Sequence, residues 1–181
     1  AAFRAAAEGR CDITYGDEAR ARLDLFMPDG PARGLVVFFH GGYWRAFDKS
    51  TWSHLAAGPL ALGWVVALPS YPLAPAARLA EITVQAGRAV AQAAGLVDGP
   101  IRLAGHSAGG HLAARLACII PAIGGIIFVD REHDKPAIHD LIYVLPDDVP
   151  AGILRFGLWD VIGTGIAGQD GRRHGQQGCG K

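Results

Sequence analysis

The sequence predicts an α/β fold, a three-layer sandwich with helices on both faces of a mostly parallel sheet, in a single domain. Three observations carry that prediction. Between residues 34 and 118, short apolar runs alternate with stretches of helical spacing. The runs Gly34-Leu-Val-Val-Phe-Phe-His40 and Trp64-Val-Val-Ala-Leu-Pro-Ser-Tyr71 are apolar on both faces, as strands inside a parallel sheet must be. And Ile101-Arg-Leu-Ala-Gly105-His-Ser107-Ala-Gly109-Gly110-His111-Leu runs from an apolar stretch through a glycine-flanked serine into alanine- and leucine-rich helical spacing.

Taken in order, residues 1–10 predict a short alanine-rich helix or a frayed terminus. Asp12 to Tyr15 and Leu23 to Met27 predict two strands, the second alternating Leu23, Leu25 and Met27 against Asp24 and Phe26. Gly16-Asp17-Glu18 supplies the turn between them, and Pro28-Asp29-Gly30-Pro31 closes the pair, giving an antiparallel hairpin at a sheet edge. After the strand at 34–40, Trp52 to Leu62 predicts a helix with Ser50 or Thr51 as its N-cap and Gly63 at its end. Leu79, Ile82, Ala86, Ala89, Val90 and Ala93 step at helical spacing, so 78–94 predicts an amphipathic crossover helix. Gly95 and Asp98-Gly99-Pro100 end it.

Composition sets the class. Half of the 181 residues are hydrophobic, enough for one domain with a substantial core. Lysine plus arginine and aspartate plus glutamate number 17 each, a balance that argues against nucleic acid or an anionic membrane as partner. The chain has no apolar run of membrane-spanning length and no signal-peptide layout at its start. Three scattered cysteines, Cys11, Cys118 and Cys179, fit a reducing compartment without a disulfide framework. The expectation is a cytoplasmic protein with a small-molecule substrate, no metal and no organic cofactor; a homodimer is left open.

Two stretches carry chemistry. A serine on a tight strand-to-helix bend, with glycine two residues before and two after, is the context of a nucleophile elbow. Ser107 between Gly105 and Gly109 meets it; the bland alternative is a serine capping an ordinary helix. Gly41 and Gly42, directly after a central strand, leave backbone N–H groups pointing above the sheet, where preorganised donors can hold the oxyanion of a tetrahedral intermediate; the bland alternative is a tight turn. His40 precedes the serine in the chain, so its expected role is to order this loop by hydrogen bonding rather than to act as general base. In such sheets ligands bind at the carboxyl ends of the strands, where both stretches fall. Tyr43, Trp44 and Trp52 could line an aromatic pocket or simply fill core.

His40-Gly-Gly-Tyr-Trp-Arg45, Trp52-Ser-His-Leu-Ala56, Ala67-Leu-Pro-Ser-Tyr-Pro-Leu-Ala-Pro75, Leu79-Ala-Glu-Ile82 and Gly105-His-Ser-Ala-Gly-Gly-His-Leu112 together make a recognisable set. Over about residues 12–118 the chain resembles the α/β-hydrolase superfamily and, within it, the kynurenine formamidase (arylformamidase) branch of esterases. The resemblance implies a serine hydrolase that cleaves an N-formylkynurenine-like aryl formamide or a small ester through an acyl-serine intermediate. Ser107 would be the nucleophile, and backbone N–H groups around Gly41, Gly42 and Ala108 the oxyanion hole.

Beyond about residue 119 the resemblance stops. The family places an acid after the seventh strand and a histidine after the eighth. Three strand-like runs remain, Ile126 to Asp130, Leu141 to Leu145 and Ile153 to Asp160. Counting strands puts the acid at Asp147 or Asp148, or at Asp160 if the last run is the seventh. His174 is the one histidine after all of these, while His133 and His139 precede such an acid; each of the three equally suits an exposed surface. No serine follows Ser107, and the end of the chain is rich in glycine. The expectation is therefore that 119–181 is an atypical tail, from a truncated gene or a shifted reading frame, and that the fold is incomplete there. A hydrolase remnant or small-ligand binder without a complete triad is the rival reading. Gly163-Thr-Gly165-Ile-Ala-Gly168 matches a dinucleotide-binding turn, but too few residues follow it for the helix, strand and acid that such a site requires.

Overall fold

The computed structural model describes residues 2–130 and 141–142. Seven strands, β1 (Gly9–Thr14), β2 (Arg22–Phe26), β3 (Leu35–Phe39), β4 (Val65–Pro69), β5 (Ile101–His106), β6 (Ile123–Asp130) and β7 (Leu141–Ile142), form one sheet in the order β1-β2-β4-β3-β5-β6-β7. The four central strands, β4, β3, β5 and β6, run parallel. The hairpin β1–β2 adds antiparallel to β4 at one edge, and β7 returns antiparallel along β6 at the other. The strand-like run at Leu141 is thus a short return on its neighbour, not a further crossover unit.

Alternation along the strands explains how both faces become core. Leu35, Val37, Phe39, Val65, Ala67 and Leu103 point to one face, where they pack under Ile82, Ala86, Ala89 and Val90 of α4 (Leu79–Ala94) and Leu112 and Leu116 of α5 (Ala108–Ile119). Val36, Phe38, Val66, Leu68 and Ala104 point to the other. There they meet Phe3 of α1 (Ala2–Ala6) and the segment 49–61. With helices on both sides, β3 and β4 have no solvent face, which is why every residue in them is buried.

The segment 49–61 differs from the single helix expected over Trp52 to Leu62. It is α2 (Lys49–Trp52), a 3₁₀ turn at Ser53–Ala56, and α3 (Ala57–Ala61). The N-cap is Asp48, whose carboxylate accepts from Ser50 N at 2.8 Å, rather than Ser50 or Thr51. Pro59 accounts for the break: its missing N–H and its ring exclude it from a helix interior but are harmless in a first turn. A helix therefore has to restart just before it. Gly63, at φ +81°, ends the segment as expected.

Asp24, which alternates with Leu23 and Leu25 along β2, is completely buried. The face it shares with Phe26 is covered by α1 and α2, and those helices bring the charges that make burial tolerable. Asp24 accepts from Arg4 Nε at 2.6 Å, Lys49 Nζ at 2.8 Å and Asp12 N at 2.9 Å. Burial alone would raise its pKa; Arg4, Lys49 and the Asp12 N–H outweigh that and hold it below the usual carboxylate range. A carboxyl whose pKa is lower folded than unfolded stabilises the fold above its unfolded pKa, and that contribution is lost as pH falls through the folded value. Asp24→Ala, which leaves the buried Lys49 short of a counter-charge, is expected to cost about 3–5 kcal/mol at pH 7. Denaturant titrations between pH 7 and pH 3 check this: the wild type should lose stability more steeply than the variant below about pH 4. Parallel curves would count against the ion cluster.

Candidate active site

The register of the central strands brings the two chemistry-bearing stretches together. Phe39 pairs with Gly105, so β3 and β5 end side by side and His40-Gly41 leaves the sheet beside His106-Ser107. The approach is close: a Cβ on Gly41 would lie 2.5 Å from His106 Nδ1 and 3.0 Å from His106 O. Ser107 is exposed, at φ 51° and ψ −116°, a conformation that costs a residue with a side chain on the order of 1–3 kcal/mol. The helix α5 begins at the next residue, and Ser107 O accepts from His111 N at 3.1 Å.

The crossing of α5 over the strands holds this bend. A Cβ on Gly109 would lie 2.0 Å from Phe39 O and 2.5 Å from His40 O, and one on Gly105 would lie 2.3 Å from Gly109 O. No side chain fits between these backbones, which is the physical content of the glycine spacing around Ser107. Gly42 carries the turn on the other side at φ +117°, with its carbonyl accepting from Arg45 N at 2.9 Å and Ala46 N at 3.1 Å. Among the described residues, neither Gly41 N nor Gly42 N donates to a backbone carbonyl. Ala108 N, in the first turn of α5, is one of the N–H groups a helix leaves unpaired at its positive end.

His40 is buried beneath this loop. Its Nδ1–H donates to Gly41 O at 2.8 Å, and its ring stacks on Tyr71 at 4.2 Å with an interplanar angle of 9°. Burial pushes its pKa down to about 4, only partly opposed by the bond to Gly41, so the ring is neutral at physiological pH. It orders the loop, the role expected from its place in the chain.

Two tryptophans pack on histidines that flank Ser107 in the chain. Trp52 lies 4.9 Å, ring to ring, from His106, the residue before the serine; Trp44 meets His111, one turn after it, edge-on at 5.5 Å. Phe47 closes on Trp52 at 6.2 Å. Tyr43, in the same loop, is 80% exposed. Asp147, Asp148, Asp160, His133, His139 and His174, together with the Gly163–Gly168 stretch, lie outside the described residues. Among the described residues, no cluster of His, Cys, Asp or Glu is placed to hold a metal ion.

Three further residues shape the site through bonds that the sequence did not reveal, two of them, Tyr71 and Ala74, inside the motif Ala67–Pro75. Tyr71 Oη donates to His40 O at 2.6 Å, Ala74 N to Trp44 O at 2.7 Å, and Arg20 Nη2 to Phe47 O at 2.6 Å. All three hold backbone carbonyls, which no side-chain pattern records.

Comparison with known proteins agrees with this geometry. Residues 36–143 match the family model of the alpha/beta hydrolase fold, so the likeness extends past residue 119, where the sequence motifs ended, and takes in β6 and β7. The kynurenine formamidase of Danio rerio is 32% identical over 139 residues, 70% of this chain and 47% of that protein. An isoprenylcysteine alpha-carbonyl methylesterase of Arabidopsis thaliana is 35% identical over 115 residues, 58% of this chain and 26% of that protein. A crystal structure from Silicibacter sp. TM1040, of a protein provisionally named a thioesterase, superposes with a TM-score of 0.63 at 56% identity, covering 64% of this chain and 45% of the other. The chain spans about half the length of the kynurenine formamidases it matches. The sheet order, the serine on its left-handed bend and the match over residues 36–143 lead to one conclusion: this chain belongs to the alpha/beta hydrolase fold family.

Proposed function

We propose that the chain is a serine hydrolase acting on a small ester or an N-formylkynurenine-like aryl formamide, with Ser107 as nucleophile and the backbone N–H groups of Gly41, Gly42 and Ala108 as oxyanion hole. The observation that carries this reading is the exposed, strained Ser107 beside a glycine loop whose Gly41 and Gly42 N–H groups, among the described residues, donate to no backbone carbonyl. Ser107 Oγ attacks the carbonyl carbon and its proton passes to a histidine base. The carbonyl oxygen becomes an oxyanion held by the N–H groups, and the C–O or C–N bond breaks as the leaving group takes up the proton. Water then attacks the acyl-serine by the same route and releases the acid. The base and acid are sought among His174, Asp147, Asp148 and Asp160. Neither metal nor organic cofactor enters these steps. The formamidase relatives favour an aryl formamide, and the methylesterase relative a small ester.

The rival reading is a scaffold that binds small ligands without turnover. Reaction with a fluorophosphonate separates the two. The hydrolase reading expects an adduct on Ser107, absent from Ser107→Ala and suppressed by an aryl formamide. A folded wild type that does not react overturns it in favour of the binder.

A further inference from the structure

The loop after β3 holds an unusual amount of left-handed backbone. Beyond Gly42, three residues with side chains sit at positive φ: Tyr43 at 53°, Trp44 at 57° and Phe47 at 70°. Strained backbone persists only where its surroundings over-determine it, and here the restraints can be traced. The near end is held by Tyr71 Oη on His40 O, and the middle by Ala74 N on Trp44 O. The far end is held by one side chain from a distant part of the chain. Arg20, in the turn of the β1–β2 hairpin, donates from Nη2 to Phe47 O at 2.6 Å and from Nε to Tyr71 O at 2.7 Å. The same guanidinium therefore ties the end of the loop to the residue whose hydroxyl holds its beginning.

The hairpin is anchored for this. Tyr15 Oη donates to Ser70 O, next to Tyr71, while Tyr15 N donates to Ala21 O at 3.0 Å and Ala21 N to Glu18 O at 2.9 Å. Among the described residues Arg20 forms no ion pair with a carboxylate at contact distance; the fork is spent on two carbonyls. Arginine suits that task because its donors are fixed relative to one another in a planar group, so two acceptors are held at one separation. Lysine, with a single ammonium, cannot reproduce it.

We propose that Arg20 is a positioning residue for the oxyanion hole: by clamping Phe47 O to Tyr71 O, it fixes the glycine loop in the orientation that aims the Gly41 and Gly42 N–H groups at the carbonyl attacked by Ser107. The inference rests on the serine-hydrolase reading above. Arg20 touches no substrate atom, so its loss should affect the step in which charge develops and not the binding that precedes it.

The test compares wild type, Arg20→Ala and Arg20→Lys in amide hydrogen exchange and in saturation kinetics with an aryl fluorophosphonate. In Arg20→Ala, exchange within residues 41–48 should quicken at least about tenfold while α4 and β5 keep their protection. The limiting rate of Ser107 phosphonylation should fall by about 10²-fold, with the half-saturating concentration within about twofold. Arg20→Lys should lie between, and it carries the comparison if Arg20→Ala does not fold. Unchanged loop exchange, or a loosened loop with an unchanged limiting rate, overturns the clamp. Loss of protection throughout both variants does so too, by making the role structural. If the variants react as fast as the wild type, the clamp alone falls. If the wild type never reacts, the hydrolase reading falls and the oxyanion hole with it.

Discussion

With Ser107 as the proposed nucleophile, Ser107→Ala is expected to reduce hydrolytic turnover by about 10⁶-fold, leaving only what the proposed oxyanion hole and substrate binding supply. Substrate affinity should change little, because the hydroxyl is small and Ser107 is exposed. The informative companion is Ser107→Gly, which separates chemistry from backbone strain. At φ 51° and ψ −116° any Cβ is penalised, so alanine inherits the strain of serine and glycine relieves it. The gain, on the order of 1–3 kcal/mol, exceeds the roughly 0.4–1 kcal/mol that glycine loses through the greater freedom of its unfolded chain. Ser107→Gly should therefore be as inactive as Ser107→Ala but about 1 kcal/mol more stable. Turnover of an aryl formamide and of a short-chain aryl ester, with denaturant midpoints of all three proteins, decides it. An alanine variant more stable than the glycine variant would mean that the bend is unstrained and that the elbow has no need of its geometry. A residual rate within tenfold of wild type would remove Ser107 from the mechanism.

Which parts of this molecule could be read from the sequence follows from how local their causes are. β3 and β4 were legible because burial on both faces turns a strand into an unbroken apolar run, and α4 because one buried face gives a helical period. The elbow was legible because two backbones crossing at van der Waals distance admit only glycine, and that demand is written at fixed spacing around Ser107. The burial of Asp24 was not legible because its partners are 20 and 25 residues away, on helices whose position over β2 only the fold supplies. The helix predicted over Trp52 to Leu62 is instead broken into shorter pieces ahead of Pro59, a local effect that the sequence does carry. Arg20 left no trace, since a side chain that serves backbone carbonyls imposes no residue type on its partners. The candidates for an acid and a histidine to partner Ser107 are a different case. Asp147, Asp148, Asp160 and His174 lie outside the described residues.

Gly109→Ala is expected to cost more than about 3 kcal/mol, a large share of the 5–15 kcal/mol that holds a domain folded. The usual rule points the other way, since glycine inside a helix is worse than alanine by up to about 1 kcal/mol. Geometry decides between them. The added Cβ would lie 2.0 Å from Phe39 O and 2.5 Å from His40 O, both backbone atoms of a buried strand end that cannot rotate away. Either α5 lifts off β3 or the strand end moves, and both shifts pull Ser107 away from Gly41 and Gly42. Gly87 is the matched control: it also lies inside a helix, but the nearest atom to an added Cβ is Leu116 Cδ2 at 3.6 Å, an ordinary contact. Gly87→Ala should therefore follow the propensity rule and stabilise by up to about 1 kcal/mol. Urea or guanidinium denaturation of the two variants reads the difference directly. Should Gly109→Ala prove as stable as Gly87→Ala, α5 and β3 would have to lie farther apart than the structure places them. The close crossing that brings Ser107 beside the glycine loop would then no longer explain the site.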